Sequence, residues 1–300
     1  MKNIRLLITG SKGLIGSRLK VQCLQKGYLI KELDHLYPKD TTEYGDLLDP
    51  VNVEKTVKDV HGIVHLAAVS RVIWGEKNPK LCWKTNVEGT KNIIKAALRS
   101  PHQPWILYAS SREVYGCAKE FPVIETCAVK PINIYGHSKA KAEELVMDAR
   151  QQGLVTGIVR FSNVFGSVFD HHDRVVPAFC RAAIQKKTLI IEGQENTFDF
   201  TYIDDVVDGT LRMIEKLDQG ISLDPIHFTT QKATNLDQLA NVIEKRLDQK
   251  LEIKIGKQRS FDVSYFVGNY NRAHSILGWS PQTSLEKGIA QFLHMLKREL

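Results

Sequence analysis

The chain has 300 residues, of which 43% are hydrophobic and 25% charged, close to the average for globular domains. A chain of this length buries roughly 75% of the surface it exposes when unfolded, so it needs no covalent staples; the composition excludes a disordered, collagen-like or disulfide-scaffold protein. The 41 basic and 34 acidic residues leave a formal charge of +7, but the lysines are spread without basic-aromatic clustering, which favours a solvated basic surface over nucleic-acid binding. No apolar run reaches the ~18 residues of a membrane helix. The stretch Leu6 to Ile8 after Lys2 and Arg5 is shorter than a signal-peptide core of about 7–15 residues. The expected location is therefore cytoplasmic. Cys23, Cys82, Cys117, Cys127 and Cys180 are scattered without metal-ligand spacing and read as reduced thiols.

The predicted elements alternate from the start. Asn3 to Thr9 is a short apolar run ended by Gly10, the pattern of a buried parallel strand. Residues 13–26 carry apolar positions at helical spacing, and Tyr28 to Leu33 is a second strand ending at Asp34. A helical stretch from Val53 precedes a strand over Ile63–Ala67; residues 80–99 are helical, and Trp105–Ala109 is a strand that runs into Ser110 and Ser111. Residues 134–152 predict a strong helix and Val155–Phe161 another strand. Such alternation predicts βαβ units, a parallel sheet and right-handed crossovers with helices on both faces. Beyond Phe161 the alternation weakens: a loop over Gly166–Asp173, a helix over 174–187, a strand over Phe198–Ile203, a helix from Asp204 to about Lys216, a short strand at His227–Thr229, and amphipathic helices over Asn235–Leu247 and Ser284–Leu296. This part reads as a smaller mixed lobe. Asp170, His171, His172 and Asp173 are consecutive and converge poorly on one ion, so a solvated loop and no metal are expected.

Two constellations carry chemistry. The first strand meets Gly10-Ser11-Lys12-Gly13-Leu14-Ile15-Gly16, where glycines serve a sharp turn, close approach of backbone to a pyrophosphate, and helix–strand packing. The helix start behind them offers free N–H groups to phosphates. Asp34 at the end of the second strand suits an adenosine ribose and would repel a 2′-phosphate, which favours NAD; Lys12 and Lys31 keep NADP open. The second constellation is Tyr135 and Lys139, four residues apart and so on one helix face. A nearby ammonium favours the phenolate, and such a tyrosine can take a hydroxyl proton as a hydride leaves. Strand-end Ser110 and Ser111 lie where ligands sit on parallel sheets, and Glu113 is near enough to act as a further acid or base.

Together these residues resemble the extended short-chain dehydrogenase/reductase superfamily, in particular its nucleotide-sugar epimerases and dehydratases. The likeness runs through Gly10, Gly13 and Gly16, Gly45–Asp49, His65–Ala68, Asn86–Thr90, Ser110–Gly116, Tyr135–Lys139, Arg160–Gly166, Asp199–Val206 and Leu277–Pro281. It implies an α/β fold: a doubly wound parallel-sheet Rossmann domain over 1–161, with 198–230 returning to it, and a mixed substrate lobe over 162–197 and 231–300. It implies NAD held by Gly10, Lys12, Gly13, Leu14, Ile15, Gly16, Asp34, Asp46 and Leu47 (at the adenine), Leu66, Ala67, Ala68, Tyr135 and Lys139. Tyr135 would be the catalytic base, Lys139 its tuner and ribose holder, and Ser111 the partner of the reacting hydroxyl, with Glu113 beside them. Trp74, Ser111, Arg112, Asn163 and Arg174 form the expected substrate-contacting set; Trp74 is placed in the loop after the third strand.

The implied substrate is a nucleotide-diphosphate sugar, the implied reaction 4-epimerisation through a transient 4-keto sugar, and the implied assembly a homodimer. Alternatives are 4,6-dehydration, decarboxylation, 4-keto reduction, or a non-catalytic NAD sensor. Two departures stand out. The arginine that many relatives carry before the Asp-Phe pair is Phe198 here, leaving Arg174, Arg181, Arg259 and Arg272 as candidates for the substrate phosphates. The Asp of a dehydratase Thr-Asp-Glu is Arg112.

Overall fold

Leu6, Leu7, Ile8, Ile63, Val64 and Ile106 are fully buried, because apolar runs without polar alternation can only be satisfied in strands covered on both faces. In the computed structural model, which describes residues 4–299, they form the centre of one parallel sheet. Asn3, the expected start of the first strand, and Lys2 lie outside the described residues. The chain runs β1 (Arg5–Thr9), α1 (Leu14–Gln25), β2 (Leu29–Leu33), α2 (Pro50–Val57), β3 (Gly62–His65), α3 (Val72–Lys77), α4 (Pro79–Trp83), a π-helical turn (Lys84–Glu88), α5 (Gly89–Arg99), β4 (Trp105–Ser111), a 3₁₀ turn (Arg112–Tyr115), α6 (Ile134–Gln151) and β5 (Thr156–Phe161). It continues with β6 (Asn163–Phe165), α7 (Val175–Ile184), β7 (Leu189–Glu192), β8 (Thr197–Phe198), β9 (Phe200–Tyr202), α8 (Ile203–Asp218), β10 (Leu223–Phe228), β11 (Thr234–Asn235), α9 (Leu236–Leu247), β12 (Ile253–Gly256), α10 (Asn271–Leu277) and α11 (Leu285–Glu299).

The sheet has six strands in the order β10-β5-β4-β3-β1-β2, every pair parallel. Strand residues alternate between two cores. Leu7, Ile63 and Ile158 pack with α2, α5 and α6 on one face. Leu6, Ile8, Val64 and Val159 pack with α1 and α8 on the other, and that core continues into α7, α9 and α11. The fold is thus the doubly wound α/β architecture expected, with the C-terminal elements sharing one of its cores.

Several elements differ from the sequence reading. Trp74 belongs to the short helix α3 rather than to a loop. The strand expected over Phe198–Ile203 is split at Asp199, whose fully buried carboxylate turns inward and accepts from Thr230 N and Oγ1 (both 2.7 Å), Gln231 N (2.9 Å) and Gly268 N (3.3 Å). Of the segment expected to return to the main sheet, β10 does so, while β9 pairs with β6 and β8 with β11 outside it. Among the described residues no helix is long and apolar enough to cross a membrane.

Candidate active site

The carboxyl ends of β1 to β5 open into a cavity of about 1170 Å³ that runs from the glycine loop to Phe198 and Arg259. Its near end is built by close packing. Gly10 has φ +71°, and a Cβ there would stand 2.7 Å from Ala67 N; a Cβ on Gly16 would stand 2.2 Å from Gly10 O. Only glycine lets α1 begin this close to β1 and β3. Gly13 caps α1 without a side-chain bond, which leaves the helix-start N–H groups to a ligand. Lys12, Leu14 and Ile15 complete this wall, and Asp46, Leu47, Leu66, Ala67 and Ala68 line the cavity as the sequence predicts. Asp34 lines it too, nearly buried, and accepts from Lys12 N (3.0 Å) and Leu36 N (2.9 Å). It therefore pins the glycine loop while lining the cavity.

These residues fit a dinucleotide on structural grounds. The two glycines let the loop and the start of α1 pack tightly against the backbone behind them, so the helix-start N–H groups face the cavity, and Ser110 Oγ, buried at the cavity wall, has no hydrogen-bond partner among the described residues. His65 braces the floor between Thr9 Oγ1 (2.7 Å) and Thr90 Oγ1 (3.0 Å). Burial holds it down to about 3, so it is a neutral structural histidine.

At the far end, α6 presents Tyr135 and Lys139 one turn apart, both buried and both lining the cavity. Lys139 Nζ donates to Ala109 O at 2.9 Å and lies 5.9 Å from the centre of the Tyr135 ring. Burial pulls the lysine down to about 8. Burial pushes the Tyr135 phenol well up; its hydrogen bond with Ser111 lowers it, the Glu113 carboxylate raises it and the Arg174 charge lowers it. Ser111 ends β4 and caps the 3₁₀ turn, accepting from Glu113 N at 3.2 Å. The structure thus brings Ser111, Tyr135, Lys139 and Glu113 to one place.

Asn133 and Glu76, which the sequence reading did not single out, hold this group. Asn133 caps α6 by accepting from Gly136 N (2.8 Å) and donates to Glu113 Oε2 (2.8 Å) and Phe261 O (3.2 Å). Glu76 accepts from Ile134 N at 2.9 Å, so α3 docks on the start of α6. The only signal in the sequence was an asparagine two residues before the tyrosine, a favourable N-cap. Asn86, in the π-helical turn, bonds Val69 N (2.8 Å) and Ser138 Oγ (2.8 Å) and fixes the loop after β3 to α6.

The expected substrate-contacting residues, Trp74, Arg112, Asn163 and Arg174, all line the cavity. Trp74 stacks edge-on against His171 at 4.5 Å. Around it the four consecutive residues 170–173 diverge: Asp170 pairs with Arg174 (3.2 Å) and Asp173 with Arg71. Of the four arginines offered for the phosphates, Arg174 and Arg259 line the cavity, whereas Arg181 pairs with Glu299 and Arg272 bonds Pro225 O. The last two are corrected: their heads are spent away from the cavity. Arg112 lies with its guanidinium 4.8 Å over the ring of Phe198 and pairs with Glu113 at 3.0 Å.

The model of the NAD dependent epimerase/dehydratase family matches residues 6–227. The chain belongs to that family. It is 30% identical over 309 residues to UDP-glucuronic acid decarboxylase 5 of Arabidopsis thaliana, covering 96% of this chain and 87% of the relative. It is 28% identical to a Methanocaldococcus jannaschii protein provisionally named a UDP-glucose 4-epimerase, covering 97% and 98%. Among solved structures, MoeE5 in complex with UDP-glucuronic acid and NAD superposes with a TM-score of 0.91 at 25% identity, covering 99% of this chain and all of that one. The family is NAD-dependent, and the cavity described above fits that cofactor.

Proposed function

We propose that the chain is a nucleotide-sugar 4-epimerase, acting on a UDP-linked sugar of the kind its relatives are named for. NAD held against the glycine loop, Asp34 and Lys139 supplies a hydride acceptor that returns the hydride, and in its oxidised form a positive charge. Tyr135 accepts the proton of the sugar 4-hydroxyl, Ser111 hydrogen-bonds that oxygen, and Lys139 holds positive charge near the phenol. The keto sugar turns to present its other face for return of the hydride to C4, and Tyr135 gives the proton back to the 4-oxygen.

The observation that carries this reading is the state of Glu113. Both of its oxygens are already engaged, one in an ion pair with Arg112 (3.0 Å) and one accepting from Asn133 (2.8 Å), so neither is left to act on a leaving hydroxyl. A dehydratase needs a proton donor there as well as a base. An oxidise-and-return reaction needs only the Tyr135 group. A second reading, a sugar-acid decarboxylase, is favoured by the Arabidopsis relative. In the same reading the segments 162–197 and 231–300 form the substrate lobe, and the protein is a homodimer, which light scattering on the purified protein tests.

Mass spectrometry on UDP-, dTDP-, GDP- and CDP-sugars incubated with the protein and NAD decides among these outcomes. A product of unchanged mass and altered retention supports epimerisation. Loss of water or of carbon dioxide refutes it in favour of dehydration or decarboxylation.

A further inference from the structure

Arg112 is over nine-tenths buried, and its Nη1 has no hydrogen-bond partner among the described residues. The guanidinium is held on three sides: by the face of Phe198 at 4.8 Å, by the face of Phe266 at 5.6 Å, and by Glu113 Oε1 at 3.0 Å from Nη2. Two aromatic faces and one carboxylate fix its plane but leave one edge unsatisfied, a costly state for a buried charged donor. The residue lines the cavity. The other arginines on that cavity wall have carboxylate partners: Arg71 with Asp173, Arg174 with Asp170, and Arg259 with Asp262 and Glu192.

The position of this cation along the cavity is set by its neighbours. Arg112 directly follows Ser111, and its partner Glu113 is bonded to Asn133, the cap of the helix that carries Tyr135. The guanidinium is therefore built into the segment that handles the reacting hydroxyl. Arg174 and Arg259 are left for a diphosphate.

We propose that Arg112 is a specificity residue that binds the carboxylate of a hexuronic acid as the sugar part of the substrate, and that it retains that carboxylate through the reaction. This rests on the 4-oxidation proposed above. Oxidation at C4 makes a hexuronate a β-keto acid. Its C5–C6 bond can then break: the electron pair passes into the C4 carbonyl as an enolate, carbon dioxide leaves, and a solvent proton adds to C5. The negative charge moves off the carboxylate in that step. A guanidinium hydrogen-bonded through Nη1 to the carboxylate stabilises the reactant more than the transition state, and so suppresses the loss. Phe198 serves the same end by stacking the guanidinium where a second arginine would repel it.

The test is calorimetric binding of UDP-glucuronate, UDP-glucose and UDP to the NAD-loaded protein, comparing wild type with Arg112→Gln, which keeps a bond to Glu113 but no charge. Wild type should prefer UDP-glucuronate to UDP-glucose. The glutamine variant should lose at least about tenfold in affinity for UDP-glucuronate, with UDP-glucose and UDP changed less than about twofold. Arg112→Lys should restore part of the loss; it keeps the charge beside Glu113 and remains readable if the glutamine variant does not fold. Equal losses for all three ligands would make the diphosphate the anion and overturn the proposal, as would no loss at all. Mass spectrometry gives the second arm: carbon dioxide loss should rise in the glutamine variant, and decarboxylation by wild type would overturn the retention step. Binding does not depend on turnover, so uronate-selective binding without epimerisation would refute the proposed reaction and leave the carboxylate site standing.

Discussion

Burial holds the Tyr135 phenol well above the usual tyrosine range, so the proposed base must be brought to its phenolate by charge and hydrogen bonds around it. The chain offers three local aids to the phenolate: the Ser111 hydroxyl, the Arg174 charge and the ammonium of Lys139. Tyr135→Phe should lower turnover by about 100- to 10,000-fold, the usual worth of a positioned acid–base group, while NAD binding and the thermal midpoint stay near wild type; unchanged turnover would sink the assignment. Lys139, pulled down to about 8 by burial, is charged below that pH and so supports the phenolate at neutrality. Lys139→Met removes that charge and should move the acid limb of the kcat/KM profile to higher pH by about one unit or more. An acid limb that stays in place would mean the lysine only holds the ribose. These two residues were legible from their spacing. Arg112 was legible only as a position, because its contacts with Phe198 and Phe266 join segments far apart in the chain.

Helix α6 is the element on which the site depends, and its first turn is held from outside. Asn133 caps it and Glu76 of α3 accepts from Ile134 N. Asn133→Ala removes the cap and the hydrogen bond to Glu113 Oε2, so it should cost about 1 kcal/mol of stability in a denaturant titration. It should also lower kcat more than it raises KM, since the tyrosine is displaced rather than the nucleotide; a pure KM effect would refute that placement. Long periodic elements such as α1, α6 and α8 could be read from apolar spacing because each buries a continuous stripe. Helix α3, the strands β6, β7 and β12 and helix α10 could not. They are three to seven residues long, too short to show a period, and Ile190 and Ile255 are exposed. The split at Asp199 was hidden for a related reason: the carboxylate is satisfied by loops at Thr230 and Gly268, which local sequence does not announce.

At the scale of the whole molecule, two buried histidines tie stability to pH. His65 and His227 are both held down to about 3 by burial, against an ordinary value of 6.5. The unfolded chain therefore binds more protons than the folded one as pH falls below about 6.5, and stability is lost in that window. The loss should be of order 1–2 kcal/mol for each histidine by about pH 5, read as a falling urea midpoint. His227→Gln should flatten the slope by about half, and an unchanged slope would assign it to other groups. The six-stranded sheet was legible as a class because its apolar runs lack alternation. The joining of the C-terminal elements to one face was not, since the core they share with α1 and α8 is assembled from both halves of the chain.

The sheet order has a consequence for synthesis. Strand β5 ends at Phe161, yet its outer neighbour β10 begins only at Leu223. On a ribosome delivering residues one at a time, the first five strands can pair while β5 still shows a bare row of N–H and C=O groups. A nascent chain stalled anywhere before Leu223 carries that open edge beside unfinished apolar surface, and is the form of this protein most in need of a chaperone.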